Sequence, residues 1–132
     1  MNGSGTARYL GGSAVVALAA GVILIGFAVP RGSSAVIWAL TGWSVMSVAG
    51  VGGGAWAVSR HGTPGAGFLV AVGACMLARL FAGVALLAVA LSAGISAVWV
   101  FLGAAAVTYV ALQVFELSWF LRHSAPQARR VG

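Results

Sequence analysis

The chain has almost no acidic residues and no lysine. Glu116 is the single acidic side chain among 132 residues, whereas all seven basic residues are arginines, and the formal net charge is +6. Enzymes that use paired carboxylates for acid–base catalysis are therefore excluded. Only 6% of the residues are charged, whereas about a quarter are charged in an average soluble domain. Because the few charges are spread along the chain rather than clustered, we do not expect it to bind nucleic acid.

Residue types that bind metals and cofactors are also scarce. Cys75 is the only cysteine, and the two histidines, His61 and His123, lie at the ends of apolar segments. A lone cysteine has no disulfide partner within the chain, and terminal histidines argue against a haem held between helices. No lysine or strand context of a phosphate-binding loop accompanies the glycines. We therefore expect neither an enzyme nor a metal or cofactor site.

Apolar residues, in contrast, make up 61% of the sequence and give it a mean hydropathy of +1.07. Four runs are long enough to cross a bilayer, because about 20 helical residues span its ~30 Å core. These runs cover approximately 11–29, 34–58, 67–91 and 97–121, and a polar, basic tail follows at 122–132. The sequence predicts an all-α protein with one transmembrane domain, residues 1–132, built as a four-helix bundle with short loops and a disordered or surface-bound tail.

The arginines also predict an orientation. Four spans place both termini on one side of the membrane, and that side collects five arginines, whereas the other side has only Arg31. An excess of arginine marks the cytoplasmic side. We therefore expect a multi-pass protein of the bacterial cytoplasmic (inner) membrane with both termini in the cytoplasm and its arginines near anionic lipid headgroups.

Arg79 is the one charge inside an apolar run, near the middle of the third span. A guanidinium at the bilayer centre costs about 2.5–3.5 kcal/mol on insertion scales, so it should have a partner. Glu116, on the fourth span, is the only carboxylate side chain available, and the sequence favours a buried Arg79–Glu116 pair. Two alternatives stay open, because the helical rise leaves Glu116 ~9 Å nearer the cytoplasm. Glu116 could pair with Arg122 or His123, and Arg79 with backbone carbonyls or with a carboxylate of another subunit.

Small residues mark two helix faces for close packing. On the third span, steps of four residues join Gly67, Ala71, Cys75, Arg79 and Gly83. This stripe predicts that Arg79 faces protein rather than lipid. On the second span, glycines crowd two turns at Gly50, Gly52, Gly53 and Gly54. Such glycines allow another helix to approach to backbone contact, either within the bundle or on a partner membrane protein.

The second half of the fourth span carries a polar face. Tyr109, Glu116 and His123 recur every seven residues, and Gln113 precedes Glu116 by three. Residues at these spacings lie on one side of a helix. A channel or carrier needs a polar path across the membrane, and Tyr109, Gln113 and Glu116 form only half of one, so an ion channel or carrier is the weaker functional hypothesis.

Two segments carry a likeness to a known family. GACMLARLFAGVALLAVAL, residues 73–91, has a lone arginine after a lead of small residues, and TYVALQVFELSWFLRH, residues 108–123, has Glu116 ahead of a basic end. Together with the four short spans, these segments resemble the ATP synthase protein I family. The resemblance implies an accessory protein that assists assembly of the membrane rotor ring of the F-type ATP synthase. Because a rotor subunit is a glycine-rich hairpin with a buried carboxylate, Arg79 and the glycines at 50–54 are its implied contacts.

A structural accessory subunit of a larger respiratory or photosynthetic membrane complex is the alternative hypothesis. Such a subunit would use the same glycine faces for docking and the Arg79–Glu116 pair as an internal link. Both hypotheses predict other membrane protein subunits as partners, in addition to membrane lipid.

Overall fold

The computed structural model describes residues 3–61 and 65–128, with side chains through residue 123. Four helices contain nearly all of these residues: α1, Gly3–Ala28; α2, Ser33–Arg60; α3, Gly67–Ala93; and α4, Ile95–Ala128. A 3₁₀ turn, Val29–Arg31, follows α1, and no strand occurs within the described ranges. The all-α fold predicted from the sequence is confirmed.

All four helices are long and apolar enough to cross a membrane. Even α1, which has 26 residues, is ~39 Å long at the usual rise per residue, which exceeds the ~30 Å hydrocarbon core. Hydrocarbon offers no hydrogen-bond partners to the backbone, and a helix satisfies its backbone groups internally. The chain is therefore a multi-pass membrane protein.

Two glycines allow the chain to reverse direction between helices. Gly32, after the 3₁₀ turn, has φ of 103°, and Gly94, the single residue between α3 and α4, has φ of 120°. Side-chain-bearing residues rarely adopt this left-handed backbone region, whereas glycine does so without a steric penalty. These sharp reversals set α1 antiparallel to α2 and α3 antiparallel to α4. Tyr9 of α1 lies beside Trp119 of α4, so the start of α1 and the last turns of α4 are at the same end of the bundle.

Helices α2 and α4 form the centre of the bundle and share its largest interface. Helix α1 packs against one side of this pair, and α3 packs against the other side. Within the described residues, α1 and α3 do not contact each other. The bundle is therefore flattened, with α1 and α3 at opposite edges.

The centre of the bundle is built from small side chains. One core cluster consists of Ala28, Ala35, Ala39 and Ala104. At Gly42 of α2, an added methyl group would lie 2.7 Å from the Phe101 carbonyl oxygen of α4. Small residues permit this backbone approach, and close packing is the main source of helix association in lipid. Helices α2 and α4 are therefore in near-backbone contact.

Helix α3 is the least buried of the four. Its buried residues are Ala71, Arg79 and Ala90. Large apolar side chains, including Leu69 and Phe81, are exposed on its outer surface. An exposed apolar face is the expected lipid-facing surface of a peripheral transmembrane helix.

The helices extend beyond the apolar runs identified in the sequence. Helix α1 begins at Gly3 rather than at residue 11, and α4 continues to Ala128. The polar, basic tail predicted at residues 122–132 is helical as far as Ala128, and residues 129–132 lie outside the described ranges. Hydropathy locates the edge of the hydrocarbon region, whereas a helix ends only where its backbone hydrogen bonds stop.

Candidate functional site

The predicted Arg79–Glu116 ion pair is present between α3 and α4. The Arg79 Nη2 and Glu116 Oε2 atoms are 3.4 Å apart, and the two residues are only 8% and 9% exposed. Arg79 lies near the midpoint of α3, and its side chain reaches the carboxylate of α4. The alternative pairing of Glu116 with Arg122 or His123 is not found among the described contacts.

Two further residues of α4 complete the surroundings of the guanidinium. Arg79 Nη1 donates a hydrogen bond to Gln113 Oε1 at 3.3 Å. The Arg79 Cζ atom lies 5.9 Å from the centre of the Tyr109 ring, which is within cation–π range. Tyr109, Gln113 and Glu116 follow one another by four and three residues, so they present one face of α4 to Arg79. Three members of the predicted polar face therefore converge on a single cation.

One nitrogen atom of the guanidinium has no hydrogen-bond partner among the described residues. Arg79 Nε is buried and has no hydrogen-bond acceptor among the described residues. Both contacts made by the terminal nitrogens are longer than the ~2.7–2.9 Å typical of charge-assisted hydrogen bonds. Glu116 therefore balances the charge of Arg79, and the Nε–H group can still donate a hydrogen bond to another acceptor.

Two grooves flank Arg79 along the seam between α3 and α4. The larger, of about 530 Å³, runs toward the Gly94 end and is walled by residues that include Met46, Leu87 and Phe101. The smaller, of about 240 Å³, runs toward the end with the termini and is bordered by Phe68 and Phe120. Arg79 lines both grooves. The Arg79 cluster, which consists of Arg79, Tyr109, Gln113 and Glu116, therefore separates them. The α3–α4 seam is therefore open to the surrounding lipid on either side of the ion pair.

The small-residue stripe of α3 faces the bundle, as predicted. Ala71 and Arg79 are buried, whereas Gly67, Cys75 and Gly83 are half-buried. The Cys75 thiol donates a hydrogen bond to the Gly53 carbonyl oxygen of α2 at 3.3 Å. A methyl group at Gly53 would lie 2.8 Å from the Cys75 sulfur. The stripe therefore brings α3 to close contact with α2, next to the ion pair.

The glycines of α2 at positions 50–54 pack against different helices. A side chain at Gly50 would collide with Leu112 of α4, and one at Gly54 would overlap the Tyr9 hydroxyl of α1. Gly52, in contrast, is exposed and has no neighbouring atom within 4 Å of an added methyl group. Packing within the chain therefore accounts for Gly50, Gly53 and Gly54, and Gly52 alone is open to lipid or to another protein.

His123 does not join the cluster. Its ring is exposed, stacks on the Trp119 ring with centres 4.2 Å apart, and places Nδ1 2.8 Å from the Trp119 carbonyl oxygen. The sequence predicts that His123 belongs to the polar face because it lies on the same side of the helix as Glu116. The contact with the residue one turn earlier instead holds its ring near the end of the bundle.

The sequence interpretation missed two aromatic residues that hold α1 in place. Tyr9 is 1% exposed, and its ring centre lies 5.5 Å from that of Phe115 and 5.6 Å from that of Trp119. Trp43 of α2 donates a hydrogen bond from Nε1 to the Ala17 carbonyl oxygen at 2.7 Å. A stripe at four-residue spacing could have revealed this face of α1, because all of its members are buried: Tyr9, Ser13, Ala17 and Gly21.

The described part of the chain contains no group of three or more histidine, cysteine or acidic residues that could hold a metal ion. Comparison of the chain with models of protein families, with curated proteins and with solved structures finds no match. The features that bear on function are therefore the chemistry of the Arg79 cluster and its place in the membrane.

Proposed function

We propose that the chain is a small membrane accessory protein that docks other membrane subunits at the α3–α4 seam. The observation that carries the proposal is the buried Arg79 guanidinium, which has a free Nε donor and lies between two grooves open to lipid. A cation placed in this way attracts a carboxylate on another transmembrane helix, because each is costly to leave unmatched in hydrocarbon.

Helix α3 is suited to this role because it lies at the edge of the bundle. It contacts α2 and α4 but not α1 within the described residues, and it buries little apolar surface. A partner helix can therefore approach the seam without displacing the central α2–α4 pair. The exposed Gly52 of α2 adds a position at which a second helix could pack closely.

The proposed partner is a rotor subunit of the F-type ATP synthase. This identity rests on the resemblance of residues 73–91 and 108–123 to the ATP synthase protein I family. The buried carboxylate of a rotor hairpin would supply the acceptor that Arg79 Nε lacks. In this proposal the protein resides in the bacterial cytoplasmic membrane, with both termini in the cytoplasm and five arginines on that side.

The test is co-purification of rotor subunits with the wild-type chain and with two variants. Arg79→Ala removes the cation but leaves Glu116 unpaired, so its effect could reflect misfolding. The double variant Arg79→Met/Glu116→Met keeps apolar volume in place of the pair, and such replacements usually preserve folding. We expect the wild type to recover rotor subunits and the folded double variant to lose them. Equal recovery by the double variant would remove Arg79 from the mechanism, and no recovery by the wild type would reject the partner.

A second candidate function is a structural accessory subunit of a larger respiratory or photosynthetic complex. The observation that favours it is that Arg79 already has Glu116 and Gln113 as partners inside the chain. In that case the cluster is an internal link rather than a docking group. Recovery of a complex at fixed stoichiometry that survives in the double variant would favour this function, whereas transient recovery that depends on Arg79 favours the assembly role.

A further inference from the structure

A third groove, of about 320 Å³, lies between α1 and α4, away from the Arg79 cluster. Val16 of α1 and Ala111 and Val114 of α4 line its apolar part. Trp119 and Arg122 line its other part, toward the end of the bundle where both termini lie. The groove therefore changes from apolar to basic along α4.

The dimensions of the groove correspond to one leaflet of a bilayer. From Ala111 to Arg122, α4 rises by ~16 Å, and half of the hydrocarbon core is ~15 Å thick. Trp119 lies ~4.5 Å deeper than Arg122 along the helix axis. The groove thus runs from the headgroup region to the region of the chain ends within a single leaflet.

Arg122 at the mouth of the groove has no counterion among the described residues. Its side chain is exposed and forms no ion pair or hydrogen bond with any residue described by the structure. Glu116 is the only acidic side chain in the sequence, and it is already paired with Arg79. At this depth the abundant anions are lipid phosphates, which can neutralise Arg122.

Trp119 supplies a second polar group at a suitable depth. Its Nε1 atom is buried and has no hydrogen-bond acceptor among the described residues. The ring is held between His123, which stacks on it, and Tyr9, which meets it edge to face. A buried N–H without an acceptor is costly, so an acceptor brought by a ligand stabilises this arrangement.

We propose that the α1–α4 groove binds one anionic phospholipid from the leaflet on the side of the two termini. Arg122 binds the headgroup phosphate, Trp119 Nε1 donates to an ester carbonyl after a small rotation of its ring, and one acyl chain lies against Val16, Ala111 and Val114. The order of phosphate, ester and hydrocarbon in the lipid matches the order of these residues along the groove. The site is independent of the Arg79 cluster, so it does not rest on the proposed docking function.

Lipid titration of the delipidated full chain, followed by native mass spectrometry, tests this proposal. The probes are dioleoyl phosphatidylglycerol and dioleoyl phosphatidylcholine, and soluble glycerol phosphate serves as a competitor. We expect one tightly held phosphatidylglycerol per chain, bound about fivefold more tightly than phosphatidylcholine, as one well-placed arginine implies. Displacement by glycerol phosphate at a similar concentration would overturn the proposal in favour of a simple phosphate site.

Two pairs of variants distinguish lipid binding in the groove from general electrostatic attraction between anionic lipid and the basic end of the protein. Arg122→Gln should lower the affinity for phosphatidylglycerol about fivefold, whereas Arg8→Gln, which removes an equal exposed charge at the same end, should change it less than twofold. Ala111→Leu fills the apolar part and should also weaken binding, whereas Ala88→Leu, on the exposed surface of α3, should not. Equal losses within either pair would overturn the site.

Discussion

The two edges of the bundle are attached to the central α2–α4 pair by different means. Helix α1 is held by aromatic side chains placed against glycines, with Tyr9 at Gly54 and Trp43 at Gly21. Helix α3 is held by the Arg79 cluster and by the hydrogen bond from Cys75, and open grooves lie on both sides of its seam with α4. In the proposed function, the α1 edge is structural and the α3 edge exchanges contacts with a partner.

The contrast follows from the chemistry of each contact. A ring that fills the space over a glycine leaves no volume for another group, and overpacking there is destabilising. A buried ion pair depends instead on the match of charge, and a carboxylate from another helix can provide the same match. The α3 edge is therefore the part of the molecule where binding can compete with an internal contact.

The largest effect is expected from removing the carboxylate of α4 that pairs with Arg79 of α3. Glu116→Ala leaves the Arg79 guanidinium buried without a counterion, which should lower the free energy of unfolding by about 3–5 kcal/mol. Arg79→Ala should cost less, because a lone buried carboxyl group can take up a proton, whereas a guanidinium stays charged. Unfolding in increasing dodecyl sulfate would measure both changes. Hydrogen exchange should rise in α3 and stay unchanged in α1, and equal increases in both helices would contradict the separate attachment of the two edges.

A smaller effect is expected at the α1 edge from Gly54→Ala. The added methyl group overlaps the hydroxyl of Tyr9, which is 1% exposed and has no room to move, so the free energy of unfolding should fall by about 1–3 kcal/mol.

Gly52→Ala is the matched control for that substitution, two residues away on the same helix. Its methyl group meets nothing within 4 Å, and alanine favours a helix by up to about 1 kcal/mol over glycine, so stability should rise slightly. The same unfolding measurement should give changes of opposite sign for the two variants. Equal changes would mean that Tyr9 does not occupy the space over Gly54.

The smallest effect is expected from Trp43→Phe. This change removes the hydrogen bond from Nε1 to the Ala17 carbonyl oxygen, which should lower the free energy of unfolding by about 1 kcal/mol. Trp99→Phe changes a ring that is 69% exposed and should stay within about 0.5 kcal/mol of the wild type. Thermal unfolding of both variants in one detergent would compare them, and an equal response would argue against the Trp43 hydrogen bond as an attachment of α1.

The α3 edge was more predictable from the sequence than the α1 edge. A single mid-span cation and a single carboxylate side chain favour one pair, with Arg122 and His123 as the alternative partners of Glu116, and the stripe at four-residue spacing indicates which way Arg79 faces. The positions of Tyr9 and Trp43 depend instead on which helices pair, because each ring fills space provided by a glycine on a different helix. His123 shares a helix face with Glu116, but its side-chain rotamer, which face-sharing does not determine, places it on Trp119.

The central claim is that a direct Arg79–Glu116 pair attaches α3 to the bundle, and the most direct test is to exchange the two residues. Stability in dodecyl sulfate should be measured for Arg79→Glu, for Glu116→Arg and for the double exchange. Each single variant places two groups of like charge in the seam and should be less stable than the wild type, whereas the double exchange restores opposite charges and should recover most of the lost stability. A double exchange that is no more stable than the single variants would show that the pair is not a direct attachment.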